Sequence, residues 1–138
     1  MDDKKKTEII SALREAFPHG HEGFIPLLVD AMELHSNKNF DYAASGDSLG
    51  NFDRVAHFWE SYPIPCPNCG TNVDNPLSNP VLVSVAYKLK QLDAETWQLV
   101  RGYEGKVEGV APRCVDQGVY SFLEILITEA LAAKKQKE

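Results

Sequence analysis

Asp116 falls within an apolar helical stripe, between Val119 and Leu123, and Asp93 follows Leu89 by one helical turn. A carboxylate taken out of water costs several kcal/mol unless it is paired, hydrogen-bonded or bound to a metal. Two such acids on the two longest predicted helices therefore call for partners, and the nearest cations in sequence are Lys88, Lys90 and Arg113. Acids facing the interior of a helical bundle can organise a cation or a phosphorylated ligand. Tyr120, one turn after Asp116, is placed to line the same site. The plainer alternative is a structural ion pair or a cap for a neighbouring helix.

Two further groupings carry chemistry. His35-Ser-Asn-Lys38-Asn-Phe-Asp41-Tyr42 puts an imidazole, an ammonium, a carboxylate and a phenol into eight residues at a predicted helix end. Lysine is a common point-charge partner for phosphate, and Asp41 could bind a hard cation or orient Lys38. An ordinary polar loop explains the same composition. Cys66-Pro-Asn-Cys69-Gly70 matches one knuckle of a zinc ribbon. Such a turn presents two thiolates to one metal, and the glycine eases its tight backbone. A structural zinc needs four ligands. Cys114 or a histidine such as His57 could complete the site within one chain, or a second chain could supply its own pair across a two-fold axis. A reduced, metal-free loop is the alternative. Asp30 and Glu33 share carboxylate-pair spacing but are expected to be solvated, and Trp59 and Trp97 occupy core-like positions. No Ser–His–Asp or Cys–His nucleophile arrangement is evident.

These residues need helices to hold them. A first helix is expected over about 5–16, with Ile9, Ile10 and Leu13 on one face, stopped by Phe17-Pro-His-Gly20. A second is expected over about 23–35, followed by a polar loop from Ser36 to Gly50, and a third over about 51–62. Residues 63–80 hold five of the eight prolines and read as a second loop. Asn79 and Pro80 are a good N-cap and first residue for a fourth helix, which Gly102 ends after Arg101. Its inward stripe is expected to be Leu82, Val85, Ala86, Leu89 and Leu92. The fifth runs from near Pro112 to about Lys134, with Val115, Val119, Phe122, Leu123, Leu126, Ile127 and Ala130 inward. No segment sustains a period of two. The fold class is all-α: a compact bundle of about five helices with two long loops, one domain over 1–138 with frayed ends at about 1–4 and 134–138.

Charge and composition narrow the partners. A net charge of −6, from 14 basic and 20 acidic residues, argues against extended binding along a nucleic-acid backbone. A small phosphorylated ligand held by a few local cations is compatible with it. No apolar run approaches the ~20 residues that span a bilayer, so no membrane partner is expected. The N-terminal Met-Asp-Asp-Lys-Lys-Lys lacks an apolar stretch behind its charges, and the three cysteines do not form an even set. A cytoplasmic chain with free or metal-bound thiols is the expectation.

The ordered set of short motifs resembles small phage and prophage proteins of the nucleotide-modification-associated type. It comprises His35-x-x-Lys38-x-x-Asp41-Tyr42-Ala43, Gly50-Asn51-Phe52-x-x-Val55, Leu89-Lys90-Gln91-Leu92-Asp93, Lys106-Val107-Glu108-Gly109 and Arg113-x-x-Asp116-x-x-x-Tyr120. The resemblance covers residues 32–126 and implies an all-helical fold distantly similar to the all-α nucleoside triphosphate pyrophosphatases of the MazG type. Those enzymes hold magnesium with acidic helical motifs, which implies metal-binding, catalytic roles for Asp93 and Asp116. Phosphate would then fall to Lys38, Lys90 and Arg113, with His35, Asp41, Tyr42 and Tyr120 around the ligand. The chain departs from the pyrophosphatase pattern in two places. The second helix offers only Asp30 and Glu33, and the fifth reads Arg113-Cys-Val-Asp116, with arginine where a glutamate would stand. Three readings follow: a magnesium-dependent pyrophosphohydrolase, a nucleotide-binding or sequestering protein without turnover, and a structural or interaction protein. A homo-oligomer, in the host cytoplasm if phage-encoded, is expected.

Overall fold

The computed structural model describes residues 1–43 and 46–136. The fold is all-α: helices α1 (Asp3–Ala16), α2 (Phe24–Ala43), α3 (Gly50–Glu60), α4 (Pro80–Arg101) and α5 (Val110–Lys135). The strands among the described residues are β1 (Ile64–Pro65) and β2 (Asn72–Val73), a two-stranded antiparallel hairpin pairing Ile64 with Val73 and Pro65 with Asn72. Among the described residues no helix is long and apolar enough to cross a membrane. Contacts group the chain into two compact units, Met1–Ala44 and Ser45–Glu138.

The first unit is the α1–α2 pair. Asp2 caps α1, its carboxylate accepting from the Lys5 N–H at 2.8 Å. The helix therefore starts at Asp3, within the end expected to fray. Asp30 and Glu33 are not simply solvated. Lys6 pairs with Asp30, which raises the lysine pKa above its usual value, and Glu33 is half-buried. The expected loop after His35 is instead two more turns of α2, to Ala43. Adding residues to a nucleated helix is far easier than starting one, so a Ser/Asn-rich run can continue what Phe24–His35 begins.

The second unit holds α3, the hairpin, α4 and α5. Its core is small: Phe52 and Ala56 of α3, Val83 of α4, and Leu123 and Ile127 of α5. Asn75 is buried between them and the hairpin, donating to the Tyr62 carbonyl at 3.0 Å and accepting from Leu77 N–H at 3.0 Å. Asn79 caps α4 through the Val81 N–H, Pro80 occupies its first turn, and Gly102 ends it with φ +64°, as the residue types require.

Helix α4 is turned about its axis from the orientation that its apolar stripe suggests. Leu82, Leu89 and Leu92 are exposed, Leu89 by 56%. The α5-facing stripe is Ser84, Lys88, Gln91, Glu95 and Gln98, at alternating steps of four and three residues. That is a heptad-like spacing, the one that keeps a single seam against a neighbouring helix. Ser84 is fully buried, and its hydroxyl donates to the Tyr120 carbonyl at 3.3 Å. On α5, Leu123 and Ile127 are inward as expected, whereas Phe122 and Leu126 are exposed, Phe122 by 63%. Trp97 is also outside, under the Arg101 guanidinium at 4.2 Å, and Trp59 is half-buried.

Candidate functional site

The polar seam between α4 and α5 is where the charged side chains converge. Asp116 is 6% exposed and Gln91 8% exposed. The Gln91 amide donates to Asp116 Oδ2 at 2.9 Å, and Arg113 Nη1 donates to Gln91 Oε1 at 2.8 Å. Gln91 thus spends its donor on the acid and its acceptor on the guanidinium. Arg113 also pairs with Glu108 at 3.2 Å. Farther along the seam Lys88 pairs with Glu124 at 2.7 Å, and Gln117 donates to Glu95. Tyr120 is half-buried, its ring 5.7 Å from that of Tyr87.

The segment leading into α5 is fixed by a close approach. Gln98 Nε2 donates to the Glu108 carbonyl at 3.0 Å, and Gly105 lies directly under that contact. A Cβ at Gly105 would stand 2.2 Å from the Glu108 carbonyl oxygen, so only glycine fits. This tie brings Glu108 to the first turn of α5, where Arg113 lies. Helix α5 begins after Gly109 with no side-chain hydrogen bond capping it. Three buried polar atoms in the seam have no hydrogen-bond partner among the described residues: Arg113 Nε, Gln98 Oε1 and Glu124 Oε1. Each carries a desolvation cost of about 1–3 kcal/mol that a ligand could relieve.

The inward position expected for Asp116 is observed; that for Asp93 is not. Asp93 is exposed, as is Lys90. The reason is rotational. Asp93 lies two residues after buried Gln91, which is about 200° around a helix. Once α4 turns its polar stripe inward, Asp93 must face outward with Leu89 and Leu92. Among the described residues no three His, Cys, Asp or Glu side chains gather as a group that could hold a metal ion.

His35, Lys38 and Asp41 lie on consecutive turns of α2, with His35 and Lys38 half-buried and Asp41 exposed; the Tyr42 side chain lies outside the described residues. In the same unit an open cleft of about 560 Å³ is lined by Leu13, Phe17, His19, His21, Ile25 and Leu28, among others. Gln91, Gln98, Glu95 and Glu108 were not singled out from sequence. The signal for Gln91, Glu95 and Gln98 was the four–three spacing of polar residues along α4, masked by the stronger leucine stripe; Glu108, before α5, had none.

Cys66 and Cys69 occupy the turn of the hairpin. Cys66 N–H donates to the Thr71 carbonyl and Gly70 N–H to the Cys66 carbonyl, both at 2.8 Å, and Gly70 has φ +73°. The Thr71 hydroxyl and N–H, together with the Cys66 thiol, lower the Cys69 pKa below the usual thiol value. Burial, and then the neighbouring Glu95 carboxylate, raise that of Cys114. His57 is exposed and contacts Glu60 at 2.8 Å.

No protein-family model, curated protein or solved structure matches the chain.

The two acids should separate cleanly on mutation. Asp116→Ala leaves the buried Gln91 amide without its carboxylate acceptor, and should lower unfolding free energy by roughly 1–3 kcal/mol. Asp93→Ala, at an exposed position, should change it by less than about 0.5 kcal/mol. Urea unfolding followed by circular dichroism measures both. Equal losses would mean that Asp93 is buried after all.

Proposed function

We propose that this chain is a nucleotide-directed binding protein that holds the phosphate of its ligand at the start of α5, beside Arg113. The observation that carries the reading is the Arg113 guanidinium. It is drawn into the seam by Gln91, its buried Nε–H has no partner among the described residues, and it lies in the first turn of a 26-residue helix whose N-cap, Gly109, has no side chain to offer. The N-terminal end of such a helix favours an anion, and a guanidinium suits phosphate oxygens. Glu108 is the competitor already in place, and ligand entry exchanges its carboxylate for phosphate on Arg113. The resemblance to nucleotide-modification-associated proteins supplies the ligand class. The reading rests on binding rather than turnover, since its supporting contacts are those of Arg113, and the exposed Asp93 and buried Asp116 take no part in it.

Thermal unfolding with a panel of nucleoside triphosphates, with and without magnesium, tests this. A ligand at about 100 times its Kd should stabilise the fold by about 2.7 kcal/mol and be recovered chemically unchanged. Arg113→Gln should abolish the shift, and Glu108→Gln, which removes the competing charge, should lower the Kd. The reading fails if millimolar nucleotides give no shift, or if Arg113→Gln binds as the parent does. Conversion of triphosphate to monophosphate would promote the pyrophosphohydrolase reading.

A homo-oligomeric interaction protein is the second reading, favoured by the exposed leucines of α4 and by Phe122, Ile125 and Leu126 of α5. Exposed large apolar side chains spaced along one helix are the kind of surface that association covers. The double substitution Leu89→Lys, Leu92→Lys should retain helicity and move the sedimenting species toward monomer. A parent chain that is monomeric at every concentration contradicts this reading.

A further inference from the structure

The hairpin at residues 64–73 has the form of half a metal site. Its two strands pair for only two residues each, and the turn between them is organised around Cys66 and Cys69 rather than around a core. Three features fix the thiols on one side of the turn. Cys66 is tied through its N–H to Thr71 and through its carbonyl to Gly70. Gly70 takes a left-handed φ of +73°, which lets the chain reverse directly after Cys69. The Thr71 hydroxyl lies 3.4 Å from Cys69 Sγ, an outer hydrogen-bonding group of the sort that steadies a metal thiolate. Structural zinc takes four ligands in a tetrahedron. Among the described residues no third Cys, His, Asp or Glu joins the pair.

What surrounds the turn says where the other ligands come from. The thiols lie at the surface, Cys69 exposed and Cys66 partly so. Exposed apolar side chains stand close in sequence to them: the paired Ile64 and Val73 of the hairpin, and Phe58 and Tyr62 just before it, whose tilted rings lie 5.1 Å apart. An identical half-site on a second copy, related by a two-fold rotation, would supply two further thiolates and could bring the exposed Ile64 and Val73 of each hairpin against the other.

We propose that Cys66 and Cys69 of two copies of this chain bind one zinc ion between them, a four-thiolate site that joins two hairpins on a two-fold axis. Four thiols give up their protons to solvent as the sulfurs bind the divalent ion, and no electron is transferred. The role is structural, since four sulfurs leave no open position for a substrate. The inference stands apart from the nucleotide reading, because Arg113 and Asp116 take no part in it.

The test is zinc and cobalt titration of the full chain, fully reduced and stripped of metal, with native mass spectrometry of the zinc-loaded protein. Binding should saturate at about one metal per two chains, in a dimer that chelator dissociates or weakens. Cobalt should give intense sulfur-to-metal charge transfer and the visible bands of a tetrahedral site. Cys66→Ser and Cys69→Ser should each abolish this, while Cys114→Ser and His57→Ala retain it. The cobalt spectrum of the unmutated chain decides the matter even if a serine variant does not fold. Saturation at about one metal per chain in a monomer overturns the proposal. So does loss of binding in Cys114→Ser or His57→Ala, or reduced protein that takes up neither metal.

Discussion

The second unit depends on one buried side-chain amide. Gln91 accepts from Arg113 and donates to Asp116, so it neutralises neither charge but lets both leave water together. Without that bridge the buried carboxylate and the guanidinium, which also pairs with Glu108, would each lose a hydrogen bond to a charged group, worth about 1.5–3 kcal/mol. With it, the two long helices meet along a polar stripe, and their register is set by which amide faces which acid. Ser84 lets the helices approach at one end, and Gln98, above Gly105, ties the connection at the other.

The orientation of every other side chain on α4 follows from this choice. Turning Gln91 inward turns Leu89, Leu92 and Asp93 outward. A hydrophobic-stripe argument would reverse the helix, because transfer of leucine from water is the larger and more familiar term. It fails here because Ser84, Lys88, Gln91 and Glu95 each find a partner on α5, and Gln98 one on the segment before it, while Leu82, Leu89 and Leu92 are left exposed. The apolar core that remains, from Phe52 to Ile127, is small, and the exposed apolar surface is large. Polar seam and apolar exterior are two consequences of one rotation.

The sequence was therefore legible in its boundaries more than in its faces. Asn79, Pro80 and Gly102 announce both ends of α4, because capping is local chemistry. The inward position of Asp116 was readable from Leu123 and Ile127, which pack as their spacing requires. The position of Asp93 was not, since two stripes compete on α4 and only α5 decides between them. The extension of α2 through Ser36–Tyr42 was hidden by residues that favour turns in isolation. The hairpin was hidden for the opposite reason: two-residue strands are too short to show alternation, although Cys66, Cys69 and Gly70 marked its turn. Arg113 was legible as a cation near an acid, but its tie to Gln91 and Glu108 needed three segments in place.

A double-mutant cycle between Gln91 and Asp116 tests the central interaction most directly. Gln91→Leu, Asp116→Leu and the double variant are compared with the parent by chemical unfolding. If the buried amide–carboxylate contact organises the α4–α5 seam, the double variant is more stable than the sum of the single losses allows, with a coupling of about 0.5–3 kcal/mol. Losses that add to within about 0.3–0.5 kcal/mol would contradict the account and place the two side chains apart.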